Sequence, residues 1–183
     1  MLDVGEVIKQ LGLVPLPGEG GYYAETYRSP FEMDGSMLPG SYLGEPRRLS
    51  SAIYYLLSDA PDSFSALHRL KGVEIYHFYL GDPVEMLLLE PSGISRQVVL
   101  GQDLAAGQRV QFTVPAGVWQ GSRLRSGGRF ALMGTTMAPG YEHRDNELGQ
   151  REDLSGLYPS RVEEITRLTR PDESASRSWN GAT

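Results

Sequence analysis

A chain of 183 residues, 22% charged and 40% hydrophobic, falls in the range of one soluble globular domain and is long enough to bury a substantial core. Its formal charge is −6, with acids and bases mixed along the sequence; Arg47-Arg48 and the Arg123, Arg125 and Arg129 group are too sparse to make the basic stripe of a nucleic-acid binder. Cysteine is absent, which excludes disulfides, thiolate metal sites and cysteine nucleophiles. The start Met1-Leu2-Asp3-Val4-Gly5-Glu6 lacks the basic residues and apolar core of a signal peptide, and no apolar run approaches a membrane span. A cytoplasmic location is therefore the default expectation, with neither nucleic acid nor membrane as a partner.

Leu2 to Leu11 reads as a short amphipathic helix, with Leu2, Val7, Ile8 and Leu11 on one face and Asp3 as its cap. Pro15, Pro17 and Gly18 stop it. From Gly21 the pattern changes to short β-type runs: Tyr22–Arg28, Ser50–Leu57, Phe64–Leu70, Glu74–Leu80, Val84–Glu90, Ser95–Leu100, Arg109–Val114, Gln120–Arg125 and Phe130–Met137. About nine short strands with turn signals every eight to twelve residues predict an all-β sandwich or barrel. Residues 30–48, punctuated by Pro and Gly, are longer than a usual loop and are expected to be a lid, an interface arm or disordered. A second helix is predicted at Arg161–Leu168, where Val162, Ile165 and Leu168 fall on one side. Residues 1–170 then form one domain, and the polar stretch 171–183 is expected to be a disordered tail.

Two stretches carry the chemistry. Ala66-Leu67-His68-Arg69-Leu70-Lys71-Gly72-Val73-Glu74 running on to Gly81, and Pro115-Ala116-Gly117-Val118-Trp119-Gln120, resemble the two signature motifs of a cupin barrel with metal ligands missing. Glu74 and Gly81 keep the first motif's separation and His68 stands at its second imidazole. Ala66 occupies the first imidazole's place, and Gln120 replaces the imidazole of the second motif. Disturbing only an outer partner of a metal ligand typically costs about 10–100-fold in affinity, and losing two imidazoles costs more. No cofactor is expected; a divalent metal, if held, would have His68, Glu74 and Gln120 as ligands, with His77 as a further candidate.

Strand alternation places Glu74, Tyr76 and Phe78 on one face and Val73, Ile75, His77 and Tyr79 on the other. Gln120, Ser122 and Leu124 share a face opposite Trp119, Arg123 and Arg125, and His68 shares one with Phe64, Ala66 and Leu70. The expected ligand site is thus His68, Glu74, Tyr76, Phe78 and Gln120 among apolar walls, with His77 facing it only if a bulge intervenes. His68 is the candidate acid/base group, Glu74 would orient it or move a second proton, and Tyr76 would donate to a developing oxyanion. The plainer reading is a hydrogen-bonded core histidine and a Glu74 paired with Arg69. His143 sits in a charged turn and is read as solvated.

Several ordered blocks extend the likeness: Glu19-Gly20-Gly21-Tyr22-Tyr23-Ala24-Glu25-Thr26-Tyr27-Arg28, Ser51-Ala52-Ile53-Tyr54-Tyr55-Leu56-Leu57, Glu74-Ile75-Tyr76-His77-Phe78-Tyr79, Val114-Pro115-Ala116-Gly117-Val118-Trp119-Gln120, Ala138-Pro139-Gly140-Tyr141 and Arg167-Leu168-Thr169-Arg170. From about residue 8 to residue 170 the sequence resembles the cupin_5 (DUF985) family, cupins of unknown function. The resemblance implies a double-stranded β-helix (jelly roll) with short terminal helices, and a homodimer joined through N-terminal strands. Members look similar in fold to metal-independent sugar-nucleotide epimerases, which use a His base and a Tyr acid, a weak guide to function. The chain departs from the family's pattern at Tyr76, where Trp is common, and at His143 and Asn146. The expected function is binding of a small polar metabolite, with metal-independent isomerase, epimerase or lyase chemistry on a sugar or sugar nucleotide through His68. A non-catalytic binding cupin and a weakly metal-dependent one are the alternatives.

Overall fold

The structure is a computed structural model that describes residues 3–42 and 44–170; Met1, Leu2 and the expected tail 171–183 lie outside the described residues. Helix α1 (Val4–Leu11) is followed by β1 (Val14–Pro15), β2 (Tyr22–Arg28), β3 (Glu32–Gly35), β4 (Gly44–Arg48), β5 (Ser51–Ser58), β6 (Phe64–Leu70) and β7 (Glu74–Gly81). Then come β8 (Val84–Leu89), β9 (Ser95–Leu100), β10 (Gln111–Val114), β11 (Trp119–Leu124), β12 (Phe130–Met137) and β13 (Asn146–Leu148). Helices α2 (Arg151–Leu157) and α3 (Val162–Arg167) close the described chain. Among the described residues no helix is long and apolar enough to cross a membrane.

The strands form a six-stranded sheet, β1-β2-β5-β12-β7-β10, and a five-stranded sheet, β13-β6-β11-β8-β9, with antiparallel pairing throughout both. Inward side chains from the two sheets interlock: Tyr55, Leu57, Tyr76, Phe78 and Met133 from one meet Val84, Met86, Leu88, Leu100 and Leu124 from the other. Fully burying such side chains contributes roughly 1.5–3 kcal/mol each. Both outer faces are partly covered as well. Val7 of α1 and Leu13 pack on Leu56, Phe130 and Leu132, while Leu154, Tyr158, Ile165 and Leu168 cover Leu67, Leu87, Leu89 and Trp119. That double coverage explains why β8 is apolar on both faces rather than alternating.

The expected strands are all present, with ends shifted by up to two residues. Asp3 caps α1 as expected, accepting from the Gly5 and Glu6 amides, and Gly12 ends the helix in the left-handed region at φ 62. The C-terminal helix is a pair: α3 covers most of the expected Arg161–Leu168 segment, and α2 precedes it. Residues 30–48 differ more from expectation. They contain a β hairpin, β3 against β4, where the sequence predicts a long loop. Its Pro and Gly residues hid the pairing, and its anchor is tertiary: Arg47 inserts its guanidinium beside Asp145, Nε to Oδ2 and Nη2 to Oδ1 both at 3.0 Å, under the ring of Tyr42.

Arg47 and Asp145 are both buried, and the pair ties the hairpin to a strap, residues 138–145, that follows β12 and carries Tyr141. Removing one member of a covered ion pair leaves the other charge poorly solvated. Asp145→Ala should lower the unfolding free energy by about 3 kcal/mol in urea titration; a loss under about 0.5 kcal/mol, the scale of surface substitutions, would contradict the anchoring role.

Candidate active site in the barrel

The local backbone of β6 builds the site. Gln120 of β11 pairs with His68 and Ser122 with Ser65, so two residues of β6, Ala66 and Leu67, stand against one residue of β11. This bulge breaks simple alternation. Ser65 therefore approaches the site and Phe64 packs with the outer cluster, instead of sharing the face of His68 as strict alternation implies. It also lets Ala66 make two contacts outside the ladder. Its amide donates to the Glu19 carbonyl at 2.7 Å, and its carbonyl oxygen lies 2.8 Å from His68 Nδ1.

A carbonyl oxygen only accepts, so Nδ1 of His68 carries a hydrogen and Nε2 is the nitrogen left for chemistry. Nε2 faces Glu19 Oε1 at 3.7 Å, beyond hydrogen-bond length but close enough for charge stabilisation. Glu19 belongs to the tight turn after Pro17. Gly20 follows at φ 99, where a Cβ would come within 2.3 Å of the Phe64 carbonyl oxygen, so only glycine permits the approach. Tyr55 Oη donates to the Gly20 carbonyl at 2.9 Å, and Ser65 Oγ donates to Glu19 Oε1 at 3.3 Å. The turn and the carboxylate are thus held from both sides.

These groups open on a cavity of ≈ 300 Å³ between the sheets. Glu19, His68, Glu74, Thr135 and Tyr141 give it polar walls, Leu16, Ile53, Leu70 and Met137 give it apolar ones, and Glu25 and Arg28 stand at the rim. Two larger grooves, ≈ 590 and ≈ 430 Å³, lie outside the barrel around Arg69 and Glu147. They contain no histidine, and Arg69 is already held by two hydrogen bonds to Glu147, whereas the barrel cavity groups His68 with Glu19 and Glu74.

His68 and Glu74, both expected at the site, line the cavity together. Gln120 is buried behind them and donates from Nε2 to Glu74 Oε2 at 2.7 Å, while its Oε1 receives no protein donor. Tyr76 and Phe78 are buried in the inter-sheet core instead of on the cavity wall. His77 faces away, with Thr136 Oγ1 and Gln111 Nε2 each 3.2 Å from its ring nitrogens. Glu74 pairs with Gln120, and Arg69 is taken by Glu147, so the pairing of Glu74 with Arg69 is not formed. His143 is exposed, as expected, and its Nδ1 lies 3.3 Å from Tyr141 Oη.

Sequence reading missed Glu19 and Tyr141 as site residues. Glu19 stands in a Gly-rich turn rather than on a strand, so alternation could not orient it. The available signal was a lone acid between glycines, Gly18-Glu19-Gly20-Gly21, in a chain otherwise poor in inward-facing charge.

Burial raises the Glu74 carboxyl above its ordinary 4.5, opposed chiefly by the nearby His68 and reinforced by Glu19. Burial likewise lifts the Tyr76 and Tyr55 phenols well above 10, and pushes Tyr141 up to about 12. All three phenols are protonated at neutral pH, and Tyr141 lines the cavity with its Oη accepting from Asn146 Nδ2 at 3.3 Å.

Whether the residues suit a metal follows from the donors. The cavity offers a single imidazole, and no three His, Cys, Asp or Glu side chains are grouped to hold a metal ion among the described residues, so the donor set does not fit a transition-metal centre.

Two antiparallel sheets packed face to face, with a cavity at their mouth flanked by β6, β7 and β12, define a cupin-type jelly roll. The chain belongs to Cupin_5, the Cupin superfamily (DUF985) family, which it matches over residues 5–149. It is similar to the solved structure of protein SO0799 from Shewanella oneidensis, at 35% identity and TM-score 0.81, covering 94% of this chain and 100% of that one. It is also similar to a hypothetical protein from Leishmania major, at 30% identity and TM-score 0.81, covering 93% and 100%. Uncharacterized protein YML079W of Saccharomyces cerevisiae is 29% identical over 168 residues, 88% of this chain and 78% of that protein. These names specify no reaction.

Glu74 gives a pH test. Its carboxyl holds a proton more tightly in the folded chain than in the unfolded one, so its contribution to stability is full below 4.5 and is lost as pH rises through the raised value. In urea titrations over a pH series, Glu74→Gln should gain on wild type as pH climbs through that window, by at most about 1.4 kcal/mol per pH unit. A gap that stays constant from pH 4 upward would contradict the shift.

Proposed function

We propose that this protein is a metal-independent acid–base catalyst, an isomerase or epimerase, acting on a small polar substrate at a carbon next to a carbonyl group. The observation that supports this most is the pairing of a buried His68, open only at Nε2, with the Glu19 carboxylate at 3.7 Å on the wall of a ligand-sized cavity. Nε2 removes the proton from carbon; the C–H electron pair forms the new C=C bond as the C=O π pair moves onto oxygen, giving an enolate. The Glu19 charge stabilises the imidazolium so formed. The Tyr141 hydroxyl, protonated at neutral pH, donates to the enolate oxygen. Return of the proton to the other face, or to the neighbouring carbon, completes an epimerisation or isomerisation with no net oxidation. The apolar walls limit water at the intermediate.

The test starts with a compound that co-purifies with the protein, identified by mass spectrometry. In D2O, wild type should exchange one carbon-bound hydrogen of that compound for deuterium. His68→Ala should slow the exchange by about 10²–10⁴-fold, the usual contribution of a positioned general base. Exchange at an unchanged rate in His68→Ala would overturn the assignment, and so would recovery of the compound with no deuterium from wild type.

A further inference from the structure

The charge of the ligand is written on the same wall. Three carboxylates, Glu19, Glu25 and Glu74, border the cavity, against one guanidinium, Arg28. Arg28 is already engaged: Nε donates to Glu25 Oε2 at 2.9 Å, Nη2 lies 2.7 Å from the same oxygen, and Nη1 donates to the Tyr141 carbonyl at 3.1 Å. Glu142 Oε1 lies a further 3.8 Å from Nη1. Arg28 therefore serves to pin the rim strand to the strap that carries Tyr141, and its charge is cancelled before any ligand arrives. No other lysine or arginine lines the cavity. No helix N-terminus opens into it either: the walls come from strands, the 16–21 turn and the strap. A phosphate, carboxylate or diphosphate in this space would face the Glu19 carboxylate and the buried Glu74 with no lysine or unpaired arginine to offset them; only the His68 imidazole, already facing Glu19, could answer its charge.

The hydrogen-bonding inventory points the same way. Carboxylate oxygens only accept, and the hydroxyls of Thr135 and Tyr23 can accept as well as donate. A wall so rich in acceptors suits a ligand rich in O–H or N–H donors. The apolar side chains opposite suit the C–H face of a ring. At ≈ 300 Å³ the cavity lies at the low end of the range for small-molecule sites, a size that suits a single sugar ring better than a nucleotide-linked one.

From these observations we infer that the cavity takes a monosaccharide-sized polyol without negative charge, and prefers one bearing an amino group. This inference rests on the barrel cavity being the site of the proposed function, but not on catalysis there. It narrows the expected sugar or sugar nucleotide to the unphosphorylated sugar.

Three probes that share one ring separate the possibilities: glucosamine, glucose and glucose 6-phosphate, titrated into the intact protein at neutral pH and followed by amide and side-chain NMR shifts of the cavity residues. Glucosamine should shift them at the lowest concentration, glucose at a higher one, and glucose 6-phosphate at least about ten-fold more weakly than glucose, the direction that like-charge juxtaposition imposes. Glu19→Gln should shrink the advantage of the amine, while Thr136→Ala, outside the cavity, should leave the ranking intact. Any other ranking, including equal response or no response at the cavity to all three, overturns the inference. His68→Ala separates the two proposals, because it should retain the charge ranking while losing the proton exchange. Retained exchange with an intact ranking counts against the acid–base reading alone.

Discussion

The peptide groups of Ala66 hold both members of the dyad. The amide donates to no ladder partner on β11 but to the Glu19 carbonyl, while the carbonyl of the same residue receives the Nδ1 hydrogen of His68. One bulged residue thereby fixes the position of Glu19 and the tautomer of His68. Each bond contributes only about 0.5–1.5 kcal/mol in net terms, but leaving either group unpaired in this buried setting costs more. The bulge in β6 is therefore the structural condition for the site. At this position a metal-holding cupin motif has an imidazole; here the side chain is a methyl group and the backbone acts in its place.

Around that condition the barrel is arranged to hold the site still. Tyr55 anchors the Gly20 carbonyl from the six-stranded sheet, and Ser65 anchors the Glu19 carboxylate from the five-stranded sheet. The strap after β12 carries Tyr141 and is fixed twice, through Arg28 to its carbonyl and through Asp145 to the buried Arg47 of the hairpin. The 30–48 segment thus acts at a distance, by clamping the strap. Glu74 and Gln120 form a second, deeper pair that extends the polar lining into the core. Its carboxyl is raised mainly because it is desolvated, which is the same dryness that strengthens the interaction between Glu19 and an imidazolium.

Much of this was legible in the sequence, for identifiable reasons. Period-two patterning set the correct faces in Glu74–Phe78, where β7 keeps an unbroken register with β10 and β12 and burial alternates residue by residue. The short motif around His68 located the imidazole, and the motif around Gln120 located its cross-strand neighbour. Alternation failed at Phe64 because a bulge is a property of two paired strands and leaves no mark in one. It failed for Tyr76 and Phe78 in a different way: the face was right, but depth along the strand decides between core and cavity. Glu19 lay outside any periodic element, and the Arg47–Asp145 pair joins residues 98 apart, so neither could be found from local pattern.

The account depends most directly on which nitrogen of His68 holds its hydrogen. Long-range 1H–15N NMR of the imidazole rings, assigned with His68→Gln, reads this without any substrate. At high pH, where the ring is neutral, His68 should show the Nδ1–H form, with a slowly exchanging Nδ1 hydrogen and a bare Nε2. The Nε2–H form, or a rapidly exchanging ring like that of a solvated histidine, would mean that Ala66 does not orient the base and that the dyad is not built as described.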